Sequence, residues 1–230
     1  MQLVLPIKRF AEAKTRLAQA LSLAKRRELS ATLLEGILEE ISRTPLITRV
    51  VLASSEPEAF YQAQKYGYDF LPDTAVYSSL NLAVARATNF LIDHGARDVG
   101  VILCDLPLIS SGELSRVIQR HLTGSPRQLT LVPDRHGEGT NVRLCRPGNL
   151  IPAQYGRNSA IKHQAAAIEA GANVVVVRSE TLGLDVDLSA DCAEVVATWR
   201  RSSERRASPA VRLLESWFGT EFESGVRLCG

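Results

Sequence analysis

The sequence predicts an α/β protein: a mostly parallel, doubly wound sheet with an antiparallel excursion, built as a three-layer sandwich. Three observations carry this prediction. Short apolar runs at residues 3–5, 49–53, 99–103 and 174–177 alternate with amphipathic helical stretches, the pattern of a parallel sheet with right-handed crossovers. The run at 99–103 is apolar throughout, as is expected of a strand when helices cover both faces of a sheet. Charged residues then cluster just past the ends of three strands, where open parallel sheets bind their ligands.

The elements follow in order. Residues 3–5 form a first strand that breaks at Pro6 into a loop carrying Lys8, Arg9, Lys14 and Arg16. Leu29, Leu33, Leu34, Ile37, Leu38 and Ile41 recur at helical spacing, with Ser22 as N-cap and Pro45 ending the segment. Residues 49–53 are a second strand. A helix from Pro57 stops at Gly67, and residues 68–71 make a short third strand. Residues 78–94 are helical and closed by Gly95; residues 99–103 are the fourth strand and empty into Cys104 and Asp105. Ser110 and Glu113 have the spacing of a capping box. Strands at 129–132 and 142–145 pair across a glycine-bearing turn as the antiparallel excursion. A helix at 159–169, a strand at 174–177 and a helix at 190–199 complete the core domain, residues 1–199. Residues 200–208 read as a charged linker, followed by a short amphipathic helix at 209–218 with Ser208 as cap. Its apolar face either docks on its own domain, the favoured arrangement, or meets a second copy in a homodimer.

Composition removes several functional classes. The 230 residues are 45% hydrophobic and 23% charged with a formal charge of +2, ordinary for a globular protein and too balanced for wholesale nucleic-acid or anionic-membrane binding. No apolar run approaches the roughly 18 residues needed to span a bilayer. The chain enters a strand at once, without a signal-like pattern. Cys104, Cys145, Cys192 and Cys229 are scattered without a Cys-x-x-Cys pair, which argues against a zinc site or disulfide framework and fits reduced thiols in a cytoplasmic protein.

Chemistry concentrates at the strand ends. The basic loop after the first strand contains no glycine, so it is neither a Walker loop nor a dinucleotide fingerprint. If it binds phosphate, its side chains must do so; a solvated basic turn is the plain alternative. Asp105 follows the fourth strand. Asp185 and Asp187 follow the last, on one side of an extended segment. Three carboxylates converging on one sheet edge suit a hard cation such as magnesium, although each alone reads equally well as a turn or capping residue. Cations opposite a carboxylate-held metal suit a nucleoside triphosphate meeting a second anion. The turn at Gly137–Asn141 could form an anion-binding nest or be an ordinary hairpin turn. Ser159, just before a helix, is either a second anion site or a plain N-cap. No Ser-His-Asp or Cys-His arrangement is evident, and His94, His121, His136 and His163 lack ligand spacing.

Taken together, these motifs resemble a known family. Leu5-Pro-Ile-Lys8, Ala13-Lys14-Thr-Arg16-Leu17, Asp105-Leu-Pro-Leu108, Pro133-Asp-Arg-His-Gly-Glu-Gly-Thr-Asn141, Tyr155-Gly-Arg-Asn-Ser159 with His163, and Leu184-Asp-Val-Asp187 occur in its order. The family is that of the phosphoenolpyruvate or 2-phospho-L-lactate guanylyltransferases of coenzyme F-420 biosynthesis, relatives of the molybdopterin-type nucleotidyltransferases. The resemblance implies a GT-A-like, Rossmann-like nucleotidyltransferase fold and transfer of GMP from GTP to a small phosphorylated carboxylic acid, releasing pyrophosphate. It implies magnesium held by Asp105, Asp185 and Asp187, and nucleotide contacts from Lys8, Lys14, Arg16, Asn81 and Asp105. Lys14, Arg16 and Asp105 would be catalytic, and Thr140, Asn141, Gly156 and Ser159 would bind the acceptor. Phosphoenolpyruvate is the favoured acceptor, with 2-phospho-L-lactate and 3-phospho-D-glycerate as alternatives. Ser79 stands where the family has glycine, Cys104 where it has alanine, and Leu188-Ser189 where it has Thr-Pro; the carboxylates are intact. A sugar-nucleotide or molybdopterin-type transferase and a non-catalytic nucleotide-binding domain are the competing readings.

Overall fold

The structure is a computed structural model that describes residues 1–73, 79–202 and 208–219. Seven strands form one sheet in the order β3-β2-β1-β4-β6-β5-β7. They are β1 (Gln2–Ile7), β2 (Arg49–Ser54), β3 (Asp69–Pro72), β4 (Val99–Ile102), β5 (Gln128–Pro133), β6 (Thr140–Arg146) and β7 (Asn173–Val176). The helices are α1 (Leu23–Ser42), α2 (Pro57–Tyr66), α3 (Leu80–Asp93), α4 (Ser111–Leu122), α5 (Ser159–Glu169), α6 (Ser189–Arg201) and α7 (Pro209–Phe218). β6 alone runs antiparallel, inserted between β4 and β5. Its reversal matters for the site: Thr140 and Asn141, at the start of β6, lie at the edge where the other strands end.

Alternate residues of each strand face opposite layers. Leu3, Leu5, Val50, Leu52, Val142 and Leu144 pack beneath α1, α2 and α4. Val4, Val51, Ala53, Val99 and Val101 pack beneath α3, and Leu129, Leu131 and Cys145 beneath α5. The predicted three-layer, mostly parallel architecture with an antiparallel excursion is thus the observed one. β1 pairs in parallel with both β2 and β4, which puts its basic loop at the centre of the carboxyl edge.

Several local expectations shift. Ser22, Ser79 and Ser208 cap α1, α3 and α7, each accepting a backbone N–H of the first turn. Ser78, the expected start of α3, lies outside the described residues, as do residues 203–207 of the expected linker. α6 runs on to Arg201, so the part of that linker at 200–201 is helical. The capping box of α4 is only half formed. Ser110 Oγ accepts the Glu113 N–H, but the Glu113 carboxylate turns away to accept Ser179 and Thr181 hydroxyls, while Glu40 accepts the Ser111 N–H. A charged carboxylate meeting two hydroxyls displaces the weaker reciprocal cap. β7, the most apolar run by sequence, is an edge strand with Val176 38% exposed.

α7 docks on its own chain against α1 and α6. Val211, Leu214 and Phe218 close an apolar cluster that also contains Leu17, Leu108, Leu184 and Val186. Those four residues belong to the three loops that carry the charged groups. Ser208 Oγ further donates to the Pro107 carbonyl at 2.7 Å.

Candidate active site

The basic loop and the acidic strand ends meet at the carboxyl edge. Lys14 adopts a left-handed backbone conformation, φ 54° and ψ 36°, which costs a non-glycine residue about 1–2 kcal/mol. That conformation sends its side chain inward. The Nζ lies 3.0 Å from Asp105 Oδ2 and 3.4 Å from Asp187 Oδ1, almost excluded from solvent. Burial opposes the ammonium charge, yet Asp105 and Asp187 outweigh it and raise the Lys14 pKa. Arg16 remains largely exposed, 3.6 Å from Asp187 Oδ2. Lys8, Lys14, Arg16, Cys104, Asp105 and Asp187 line one cleft of about 330 Å³.

Asp105, Asp185 and Asp187 each place a carboxylate oxygen within 4.8 Å of the others. Asp105 Oδ1 is buried without a hydrogen-bond partner. Burial, and then the neighbouring Asp105 charge, push the Asp185 carboxyl up to about 6. Asn141 Nδ2 holds the approach to Asp185, donating to the Leu182 carbonyl at 3.0 Å and standing 3.5 Å from Asp185 Oδ1.

Contacts from Asp191 and Arg135 behind the carboxylates aim this acidic segment. Asp191 Oδ2 accepts the N–H groups of Asp187 and Leu188 at 2.8 and 2.6 Å, while Oδ1 receives Arg135 at 2.5 Å. Asp191, not Asp187, therefore secures the start of α6. Gly183 turns the chain where a Cβ would stand 2.4 Å from the Ser179 carbonyl, a position only glycine fills. Sequence reasoning missed the Asp191 contacts and the turning of Glu113 to Ser179 and Thr181; the Arg135–Asp191 pair spans 56 residues and the Glu113 pairs 66 and 68.

The turn at Gly137–Asn141 is not an open nest. Asp134 accepts the Glu138 and Gly139 N–H groups at 2.9 and 2.8 Å, so the turn satisfies its own donors and offers Arg135 to Asp191 instead. Thr140 and Ser159 come together beyond it. Ser159 Oγ donates to Thr140 Oγ1 at 3.1 Å, and His163 Nδ1 lies 3.1 Å from the same oxygen. The N-cap position of α5 is Asn158, at φ 57°, which makes Ser159 the first helical residue rather than the cap. Gly156, at φ 117°, has open space where a side chain would project. Asn81 makes a two-point contact with the Tyr155 backbone, accepting its N–H at 2.6 Å and donating to its carbonyl at 3.2 Å. In this arrangement Asn81 braces the loop that carries Gly156 and Ser159.

Comparison with known proteins agrees with this geometry. Residues 1–206 match the family model described as guanylyl transferase CofC like. A phosphoenolpyruvate guanylyltransferase of Conexibacter woesei is 36% identical over 190 residues, covering 82% of this chain and 83% of its own. A 2-phospho-L-lactate guanylyltransferase of Methanothermobacter thermautotrophicus is 28% identical over 193 residues, covering 84% and 82%. In fold, the chain is similar to a solved structure described as a nucleotide-diphospho-sugar transferase from Desulfovibrio desulfuricans G20. The TM-score is 0.77 at 15% identity, over 97% of this chain and 96% of the other. The chain belongs to the CofC-like guanylyl transferase family, a family of nucleotidyltransferases.

Proposed function

We propose that this protein transfers GMP from GTP to the phosphate of a small phosphorylated carboxylic acid, phosphoenolpyruvate foremost, and releases pyrophosphate, in the biosynthesis of coenzyme F-420. The observation that carries the proposal is the clustering of Asp105, Asp185 and Asp187 within 4.8 Å against the Lys8, Lys14 and Arg16 cleft. The names of the relatives support the chemistry, and the higher identity to a phosphoenolpyruvate enzyme supports that acceptor.

The residues present fit magnesium. A buried, unpartnered Asp105 oxygen and an Asp185 carboxyl raised to about 6 by burial and by the Asp105 charge make a donor set that a hard cation would satisfy. Asp105, Asp185 and Asp187 would hold the ion, which would supply positive charge to the triphosphate when bound. Lys14, Lys8 and Arg16 neutralise the phosphate oxygens and let a second anion approach. Thr140, Gly156 and Ser159 hold the acceptor, whose phosphate oxygen attacks the α-phosphorus of GTP. The α–β anhydride bond breaks and pyrophosphate leaves. No side-chain base is required, because a phosphate monoester with a second pKa of about 6 is already an anion at neutral pH.

A coupled pyrophosphate-release assay tests the reading with each nucleoside triphosphate against phosphoenolpyruvate, 2-phospho-L-lactate and 3-phospho-D-glycerate. GTP and phosphoenolpyruvate should give the highest kcat/KM. Folded protein that releases no pyrophosphate with any pair would sink the proposal.

A further inference from the structure

We propose that His163 is a positioning residue that fixes the direction of the Thr140–Ser159 hydroxyl pair, so that one hydroxyl proton always points outward to an anionic oxygen of the acceptor. The inference rests on the reading above that the acceptor lies against this pair.

Proton counting carries it. His163 is wholly buried in the first turns of α5. Its Nε2 lies 3.0 Å from the backbone nitrogen of Gln154. A backbone N–H can only donate, so Nε2 must be the bare nitrogen and the ring proton resides on Nδ1. Nδ1–H then donates to Thr140 Oγ1 at 3.1 Å. Three protons, on Nδ1, Thr140 and Ser159, now face only two internal contacts, His163 to Thr140 and Ser159 to Thr140. One hydroxyl proton is left over without an acceptor among these three side chains, and in this proposal it serves an anionic oxygen of the acceptor. With the proton on Nε2 instead, Thr140 would donate to Nδ1 and Ser159 to Thr140. The pair would then face outward with lone pairs alone and repel an anion.

Two further features keep the ring as it is. The Tyr155 ring meets the imidazole edge-on, with centroids 5.1 Å apart. Burial, with the Arg143 and Lys162 charges adding to it, lowers the His163 pKa to about 3, so the ring stays neutral.

Two substitutions separate this role from bulk packing. His163→Asn puts an amide nitrogen near the Nδ1 position and keeps the donation to Thr140; His163→Leu removes it. For His163→Leu the KM for the acceptor should rise roughly tenfold or more, the scale expected for loss of a hydrogen bond to a charged group. The KM for GTP should change less than about threefold, and His163→Asn should restore acceptor KM to within about threefold of the parent. Equal acceptor KM in the two variants, with both folded by circular dichroism, would overturn the proposal. Nitrogen-15 imidazole spectra of the full chain at neutral pH give a readout independent of activity. An Nδ1–H ring at His163 is expected, and an Nε2–H ring or an imidazolium would overturn the proposal. If the parent protein transfers GMP to no phosphorylated acid, the functional reading fails, while the spectra still decide the tautomer.

Discussion

Replacing Asp191 by alanine tests whether the acidic segment is aimed from behind. The Asp191 side chain is about 8% exposed and makes three contacts, two with the backbone N–H groups of Asp187 and Leu188 and one with Arg135. A hydrogen bond to a charged group contributes about 1.5–3 kcal/mol. Losing both amide contacts should therefore cost about 3 kcal/mol at least, with the Arg135 ion pair, whose guanidinium stays one-third exposed, adding little. At about 2–4 °C per kcal/mol for a chain of this size, the melting temperature should fall by roughly 6–12 °C. Asp191→Asn keeps one acceptor oxygen but loses the charge, and should fall about half as far.

Stability alone would not establish aiming. Asp187 is the carboxylate whose backbone Asp191 grips, so the variant should also require more divalent cation for half-maximal rate. A shift of roughly tenfold or more matches the usual effect of removing a ligand's support. A melting temperature within about 2 °C of the parent would refute the stability reasoning. A large drop in melting temperature with unchanged cation dependence would show that Asp191 caps α6 and does nothing for the site.

Three other perturbations follow from the geometry. Lys14→Met removes the buried cation between Asp105 and Asp187 and should lower kcat/KM by about 100-fold or more, the scale of losing one preorganised charge; activity within threefold of the parent in initial-rate assays would remove Lys14 from the mechanism. Leu214→Ala should cost about 2–5 kcal/mol in urea unfolding and reduce turnover, because Leu214 is fully buried in the cluster shared with Leu17, Leu184 and Val186; loss of stability without loss of turnover would uncouple α7 from the site. Stability should also fall between pH 7 and pH 5. Burial lowers His121 to about 4 and His163 to about 3, so the unfolded chain takes up protons below about 6.5 that the folded chain refuses. Each should contribute about 2 kcal/mol of loss by pH 5, offset by roughly 1 kcal/mol from Asp185, whose raised pKa works in the opposite sense. A flat profile in urea titrations at the two pH values would mean that both imidazoles are solvated.

What could be read from the chain and what could not divide along a physical line. Strand and helix identities were legible because periodicity and caps are local, and the charged residues at strand ends were legible because a parallel sheet sends its ligands to one edge. The destinations of polar side chains were not legible. Asp134 turns back onto the turn it opens and removes the donors that would have made a nest, while Glu113 abandons its own helix for Ser179 and Thr181. The Glu113 choice is not visible in spacing because its partners arrive from 66 and 68 residues away, and for Asp134 the spacing fits a closed turn and an open nest alike. The left-handed residue Lys14 was hidden because a lysine carries no signal for positive φ, whereas Asn158 is of a type that tolerates it. The amphipathic face of α7 was evident, but not that it closes the cluster beneath the site loops.

That last contact bears on how the site is built. Three carboxylates within 4.8 Å repel one another, and Lys14 sits in a strained conformation. Such an arrangement persists only where the surroundings over-determine it. Here they do so from two sides. Asp191, Arg135 and Asn141 hold the acidic segment through directional polar contacts, which set angles. Leu17, Leu108, Leu184 and Val186 anchor the same loops in one apolar cluster, which sets depth and is not directional. α7 completes that cluster although it lies beyond residues 1–206, the span that matches the family model. The charged residues of the site therefore lie within the span that matches the family model, while part of the force that holds them in place comes from a segment outside that span. Transplanting residues 1–202 alone would carry every charged group of the site and leave the loops beneath them with an exposed apolar floor.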